Sequence, residues 1–447
     1  MATKINCLEL FAGCGGLGYG FHKEEFTMVC ANELEAVIAS SYQRNFAGTT
    51  VIAGDITKPE IKKQIYDCFN EEVECDVILG GPPCVAYSMS GHRNSRDPRG
   101  QLFNDYVTVV KELKPKVFIM ENVKGILTIM HDKPTLTKAE QKLADKYYKL
   151  EADKIKYAEL KKNLVFNNSK AETKAAAEPD PKAAAEPEPK AKTKTKAKKT
   201  KAKVSDVSPP LVEDAKPAAQ ESEEYKKNEA NIKENKKNIK NMASELGKFR
   251  MKVTDIIKDK FKDIGYTVKM ELLKASNFGV PQNRERVIFI GVRNDIEKDI
   301  KYPEATHNAD GSDGKKKHQT VKEAIDDLKD SPENKETHQI YTNHSEAFTE
   351  KIKNTKLGES VNKKYTEAFF RCSPDKPSNT VKENHGGVFV HYEKDRVMTP
   401  RELARLQSFP DDFMFNGTKS SVLVQLGNAV PCGLSHAIAK EIKKIFI

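Results

Sequence analysis

The stretch Gly80-Gly81-Pro82-Pro83-Cys84 sets a thiol just past the apolar run Val77-Ile78-Leu79. A thiol attacks as its thiolate, and Cys84 stands where a strand gives way to a helix start, with Arg93, Arg96 and Arg99 downstream to favour the charged form. Pro82 and Pro83 fix two φ angles, while Gly80 and Gly81 allow close approach. The following SMSGHRNSRDPRG has the composition of a lid that touches phosphates. Such a nucleophile needs an acid partner, and Glu121 ends the apolar run Val117-Phe118-Ile119. Carboxyl groups in apolar surroundings keep a proton more readily than in water; taken alone, a glutamate there is more often a helix-capping acid. Arg284 and Arg286 alternate along the start of a strand and so share one face, which is costly unless they meet carboxylate or phosphate.

A second constellation suits a nucleoside. The turn FAGCGGLGYGF (11–21) follows a strand and opens towards a helix, and its glycines let backbone approach a ligand. A plain tight turn explains the glycines equally well. Glu33, 20 residues beyond Gly13 and at the end of the second strand, is placed to take both ribose hydroxyls. Asp55 ends the third strand, where it accepts from an adenine amino group. A nucleoside ligand without phosphates, such as S-adenosylmethionine, is expected.

The elements that must hold these residues follow from periodicity. Residues 5–11, 27–33, 50–55, 75–81 and 116–123 read as buried parallel strands, alternating with helical stretches such as 35–46 and 103–114. That grammar implies a doubly wound α/β sheet with ligands beyond the carboxyl ends of its strands. From 131 to 248 it breaks into a Lys/Glu/Ala-rich insert. The centre of the insert, 169–220, is low in complexity, and its flanks suit a helical hairpin. A helix over 249–265 and two β-runs resume the pattern. Residues 299–390 are polar and loop-rich, and 391–447 return to helix.

The 447 residues carry a formal net charge of +10, which suggests a polyanionic partner, yet eight lysines without an acid crowd into 190–203. Eight cysteines without recurrent spacing speak for free thiols and no zinc cluster; Cys7, Cys30, Cys68 and Cys75 read as inert packing. No leader pattern or membrane-length apolar stretch is visible, so a soluble intracellular protein is expected, in the cytoplasm of a bacterium or virus-infected cell, or in a nucleus.

LFAGCGG, GGPPC, ENV, QNRER, TPRELARLQSFPD and QLGNAVP, in this order and spacing, resemble the DNA (cytosine-5) methyltransferases over residues 5–130 and 249–447. The resemblance implies a class I S-adenosylmethionine-dependent methyltransferase fold, a Rossmann-like doubly wound sheet. Its catalytic parts would be 1–130, 249–298 and 391–447, with a small target-recognition domain at 299–390. It assigns Cys84 to attack on cytosine carbon 6, Glu121 to ring nitrogen 3 and the exocyclic amine, Arg286 to the carbonyl oxygen, and Arg284 to ordering the loop and the glutamate. It further implies cofactor contacts from Phe11, Ala12, Gly13, Gly15, Gly16, Leu17, Glu33, Asp55, Ile56, Pro83, Leu102, Asn428 and Val430, and DNA contacts from Ser88, Ser90 and Arg99. No metal is expected. Double-stranded DNA is the implied partner of a monomer, with any restriction endonuclease a separate chain. Val85 stands where most members carry glutamine, and the insert is absent from compact members. Two rivals remain: the tRNA branch, whose CFT tripeptide is missing from the recognition region, and an inactive DNA-binding scaffold, which intact Cys84, Glu121 and Arg286 speak against.

Overall fold

The computed structural model describes residues 4–83, 102–133, 135–153, 241–362, 367–383 and 389–447. They divide into two compact units, Met1–His131 with Met251–Ile447, and Asp132–Arg250.

The first unit is built on strands β1 (Asn6–Leu10), β2 (Thr27–Glu33), β3 (Thr50–Ala53), β4 (Val77–Gly80), β5 (Val117–Val123), β6 (Tyr266–Lys274) and β7 (Glu285–Arg293). They form one sheet in the order β3-β2-β1-β4-β5-β7-β6. The first five strands are parallel; β7 runs antiparallel to both β5 and β6. The central strands are buried on both faces, as their unbroken Val/Ile/Leu/Phe runs require. One apolar cluster, on one face, gathers Phe21, Phe46, Leu79, Ile119 and Ile290; the other gathers Leu8, Ile78, Tyr106, Phe118 and Phe289.

Helices α1 (Gly16–Lys23), α2 (Ala36–Asn45), α3 (Pro59–Tyr66), α4 (Leu102–Leu113) and α5 (Val253–Asp263) connect the strands. The expected helix over 249–265 is shorter: Arg250–Lys252 is a strand and the helix begins at Val253, where the apolar stripe Val253, Ile256, Ile257 and Phe261 starts. Among the described residues, 299–390 contribute two-residue strands, the helices α6 (Val321–Ile325) and α7 (Glu346–Lys353) and a 3-10 turn at Asp326–Leu328. The chain then returns through α8 (Pro400–Leu406), α9 (Lys419–Asn428) and α10 (Cys432–Lys443). A Cβ on Gly20 of α1 would lie 2.2 Å from the backbone nitrogen of His436, so glycine there lets α10 pack directly against α1. The end of the chain thereby completes the half of the sheet that its beginning started.

In the second unit, residues 138–153 and 241–247 are helical, in keeping with the helix-forming flanks of the insert. Its two feet are joined: Lys133 N–H donates to the Phe249 carbonyl at 3.0 Å. Arg250 donates from Nε to Asp132 (3.3 Å) and from Nη2 to the Tyr148 hydroxyl (3.0 Å), which itself donates to Asp132 (2.9 Å). The low-complexity centre and the lysine run 190–203 lie outside the described residues.

Candidate active site

The glycine turn after β1 takes left-handed backbone at Phe11 (φ 54°), Gly13 (φ 55°) and Gly15 (φ 99°). A Cβ on Gly13 would meet nothing within 4 Å, so the turn presents an open shelf of bare backbone. On Gly16 it would lie 2.4 Å from the Val430 carbonyl oxygen, and glycine lets the buried Ala429-Val430 turn seat against α1. Leu17 and Ala12 are buried behind the shelf. Glu33, at the end of the neighbouring strand, accepts from Gly13 N–H at 2.8 Å and from Glu35 N–H at 3.0 Å. Burial raises its pKa while N–H donors from Glu35, Gly13 and Leu34 pull the other way.

One strand further, Asp55 accepts from Thr57 N–H at 2.9 Å, a bond that holds its carboxyl below the usual range, and Ile56 is buried beside it. The glycine shelf, Glu33 and Asp55 thus share the carboxyl ends of three adjacent strands, and the bare backbone at Gly13 leaves open space beside them that is compatible with a nucleoside-bearing cofactor. Leu102, half-buried, opens α4.

Two residues here escaped the sequence reading. Leu34, 61% exposed, is an apolar side chain next to Glu33, and only its exposure distinguishes it from any other leucine. Glu9 lies fully buried in β1, accepting from Gly18 N–H (3.0 Å) and from the Tyr42 hydroxyl (2.8 Å). Burial pushes its pKa up to about 8. An acid within an apolar strand was the available signal.

The chemical end lies two strands away. Glu121 of β5 faces Ile288 of β7, and Val123 faces Arg286. The Arg286 Nε is 2.5 Å from Glu121 Oε1, each side chain 12% exposed. Arg286 also donates from Nη1 to the Glu285 carbonyl at 2.8 Å. A Cβ on Gly81 would lie 2.9 Å from Glu121 Oε2, so glycine lets the chain that leads to Cys84 pass against the carboxylate. Asn122 donates to the Pro82 carbonyl at 3.4 Å, holding the two segments together. Beside the pair opens a cavity of about 310 Å³ lined by Val123, Lys124, Gly125, Asn283, Glu285, Arg286 and Thr380, within the size range of small-ligand pockets.

Arg284, expected to need a carboxylate or phosphate, is instead met by backbone carbonyls. It lies just before β7, 1% exposed, and donates to the carbonyls of Val381 (2.8 Å) and Gly427 (2.9 Å), with no partner for Nε among the described residues. Burial drives its pKa well down, Arg286 adds to that and Glu121 opposes it. Gln282 extends the same knot: it donates to the Leu406 carbonyl (3.1 Å) and to Gln407 Oε1 (2.7 Å) and accepts from Val381 N–H (2.9 Å). Asn428 is exposed and donates to Glu383 at 3.1 Å. Pro83 is exposed at the end of the described segment; Cys84, Val85, Ser88, Ser90 and Arg99 lie outside the described residues. Cys7, Cys30 and Cys75 are buried, whereas Cys68 is half-exposed.

Comparison with known proteins places this arrangement. The family model of C-5 cytosine-specific DNA methylases matches residues 5–245 and 224–444. The Type II methyltransferase M.NgoFVII of Neisseria gonorrhoeae is 28% identical over 100% of this chain and 88% of its own length. The Type II methyltransferase M1.HphI of Haemophilus parahaemolyticus is 28% identical over 99% of this chain and 87% of its own. Among solved structures, a DNA modification methyltransferase encoded within an E. coli prophage superposes with a TM-score of 0.55 at 21% identity, covering 99% of both chains. That likeness carries the fold.

Proposed function

Since this chain belongs to the C-5 cytosine-specific DNA methylase family, and so is a DNA cytosine-5 methyltransferase, we propose that it methylates one cytosine within a short specific site of duplex DNA through a covalent adduct to Cys84. The observation that carries this reading is the Glu121–Arg286 pair, set against the glycine-lined approach to Cys84 and on the same sheet end as the Gly13 shelf and Glu33.

A stacked base is out of reach of these side chains, so the cytosine is flipped into the cleft. Cys84, as thiolate, adds to carbon 6. Glu121 hydrogen-bonds ring nitrogen 3 and the exocyclic amine, and Arg286 uses guanidinium N–H groups left over from Glu121 to hold the carbonyl oxygen. Carbon 5 gains enamine character and becomes the nucleophile. S-adenosylmethionine, when bound, supplies an electrophilic methyl group. Loss of the carbon-5 proton and expulsion of the Cys84 thiolate restore the aromatic ring, so that one hard substitution is divided into easier steps.

Phe11, Ala12, Gly13, Gly15, Gly16, Leu17, Glu33, Asp55, Ile56, Pro83, Leu102 and Val430 hold the cofactor in this reading, with Leu34 added against the adenine. Ser88, Ser90 and Arg99 meet the DNA, and residues 299–390 read the site. Arg284 acts as a positioning residue through Val381 and Gly427. Asn428, bonded to Glu383, contributes to the cofactor pocket when that bond exchanges. In this reading the enzyme works inside the cell as a monomer, with any endonuclease a separate chain; among the described residues no single helix is long and apolar enough to cross a membrane.

The test uses duplexes carrying 5-fluorocytosine in varied contexts with S-adenosylmethionine. A covalent adduct on a subset of contexts, absent in Cys84→Ser, is expected. Adducts on tRNA alone, or none anywhere, would overturn the reading.

A further inference from the structure

The cleft is flanked by cations that the chemistry above does not use. Val123, Arg286 and Leu273 lie side by side across β5, β7 and β6, and Glu285 pairs with Lys274 one residue further out. Lys124, following β5, meets Glu285 at 2.8 Å, with side chains 58% and 37% exposed. Lys274 closes β6 on the same sheet end, about 10 Å from β5 at the usual strand spacing.

Beyond it, the turn Ala275–Phe278 carries two imidazoles. His318 Nε2 lies 3.1 Å from Asn277 Oδ1, and His307 packs on Gly279, where a Cβ would come within 2.9 Å of the ring. Burial and then Lys274 and His307 depress the pKa of His318; burial and then Lys316 depress that of His307. His307 pairs with Lys316 across a short two-strand ladder, and His318 bonds Asn277 three residues beyond Lys274, so two lysines and two neutral imidazoles are near neighbours; neither Lys274 nor Lys316 forms an ion pair among the described residues. The nearby acids are engaged: Asp310 accepts from Ser312 N–H, Asp313 from the Ser312 hydroxyl, and Glu323 caps α6 with Thr320. Glu285 is set within the row, opposite Lys274 and bonded to Lys124.

From this geometry we infer that Lys124, Lys274, His318, His307 and Lys316 form a track that seats the DNA phosphate backbone beside the flipped base, with Glu285 occupying Lys124 until a phosphate displaces it. The inference rests on the proposed DNA substrate but not on catalysis. Lys124 and Lys316 are exposed and Lys274 half-buried; lysines gathered at one end of the sheet attract a polyanion, and a duplex lying across this end supplies a regular series of phosphates, to which the neutral imidazoles can donate. Glu285 then works against binding: it screens the cleft when DNA is absent and must release Lys124 when DNA arrives.

The experiment measures binding of the full chain to a cognate-length duplex without cofactor, by fluorescence anisotropy over a series of salt concentrations. For every phosphate that is no longer neutralised, the plot of log affinity against log salt flattens by about 0.9. K124Q/K274Q/K316Q is expected to flatten it by about two to three, K124R/K274R/K316R to keep the wild-type slope, and E285Q to bind a few-fold more tightly. Lys440→Gln serves as the control, because α10 there runs beside Glu25, which precedes β2 at the opposite end of the sheet. Thermal melts establish that each variant is folded. An unchanged slope in the glutamine variant, a flattened slope in the arginine variant, or weaker binding by E285Q overturns the track. A flattened slope together with failure of the 5-fluorocytosine adduct upholds the track and overturns the catalytic reading instead.

Discussion

Glu33 and Arg284 both spend their side chains on backbone groups, but over very different stretches of chain. Glu33 accepts from Gly13 and Glu35, 20 and 2 residues away. Arg284 donates to Val381 and Gly427, 97 and 143 residues away. The nucleoside end is thus assembled from one strand, turn and helix after another. The chemical end is held by a knot that ties the beginning of β7 to the segment before Phe389 and to the end of α9. A local assembly tolerates loss of one side chain with a local penalty, whereas a knot transmits the loss to every segment it ties.

Breaking the knot is the sharpest way to test that difference. Gln282→Ala leaves Val381 N–H, the Leu406 carbonyl and Gln407 Oε1 without a buried partner. The expected cost is about 4 kcal/mol, read by denaturant unfolding, together with loss of methyl transfer. Unfolding within 1 kcal/mol of wild type, taken as roughly the spread of a surface substitution, would dissolve the contrast.

Glu9 offers the same comparison from within the nucleoside half, because it is local yet fully buried. Its folded pKa of about 8 lies above that of an ordinary glutamate, about 4.3, so the folded chain binds this proton more tightly than the unfolded chain does. Its contribution is fully present below about pH 4.3 and is lost as pH rises towards 8. Wild type should lose up to about 5 kcal/mol across that window, and Glu9→Gln, which cannot ionise, should flatten the profile. A profile shared by both proteins would show that Glu9 is ionised in the fold.

The smallest effect belongs to Glu33→Ala. Michaelis constants for S-adenosylmethionine should rise about 10- to 30-fold, roughly 1.4–2 kcal/mol, with kcat and thermal midpoint nearly unchanged. A large drop in kcat at saturating cofactor would place Glu33 in the chemical step and remove the distinction between the two ends.

The same contrast explains what could be read from the sequence. Strand β2 occupies the expected 27–33, and β5 begins one residue after the expected start, because unbroken β-branched and aromatic runs have few other ways to be buried. Gly13, Glu33 and Asp55 were legible because each stands at the end of its own strand. Glu121 and Arg286 were legible as residues, and their 2.5 Å contact follows from the antiparallel pairing of β5 with β7, which no local pattern encodes. The hydrogen bonds of Arg284 were not legible, because its acceptors, the carbonyls of Val381 and Gly427, are 97 and 143 residues away in the chain. Leu34 and Glu9 show the remaining gap, since exposure and burial are properties of the packed chain.

The joined feet of the insert bear on how this chain tolerates change. Lys133 and Phe249 share a backbone hydrogen bond, and Arg250, Asp132 and Tyr148 close around it. To the rest of the polypeptide, everything between those feet is a single closed loop, whose closure penalty grows with the logarithm of its length: a doubling costs only about 0.6 kcal/mol. The root is therefore a natural port, through which lineages can lengthen, shorten or exchange the intervening sequence while the chain enters and leaves at the same two points.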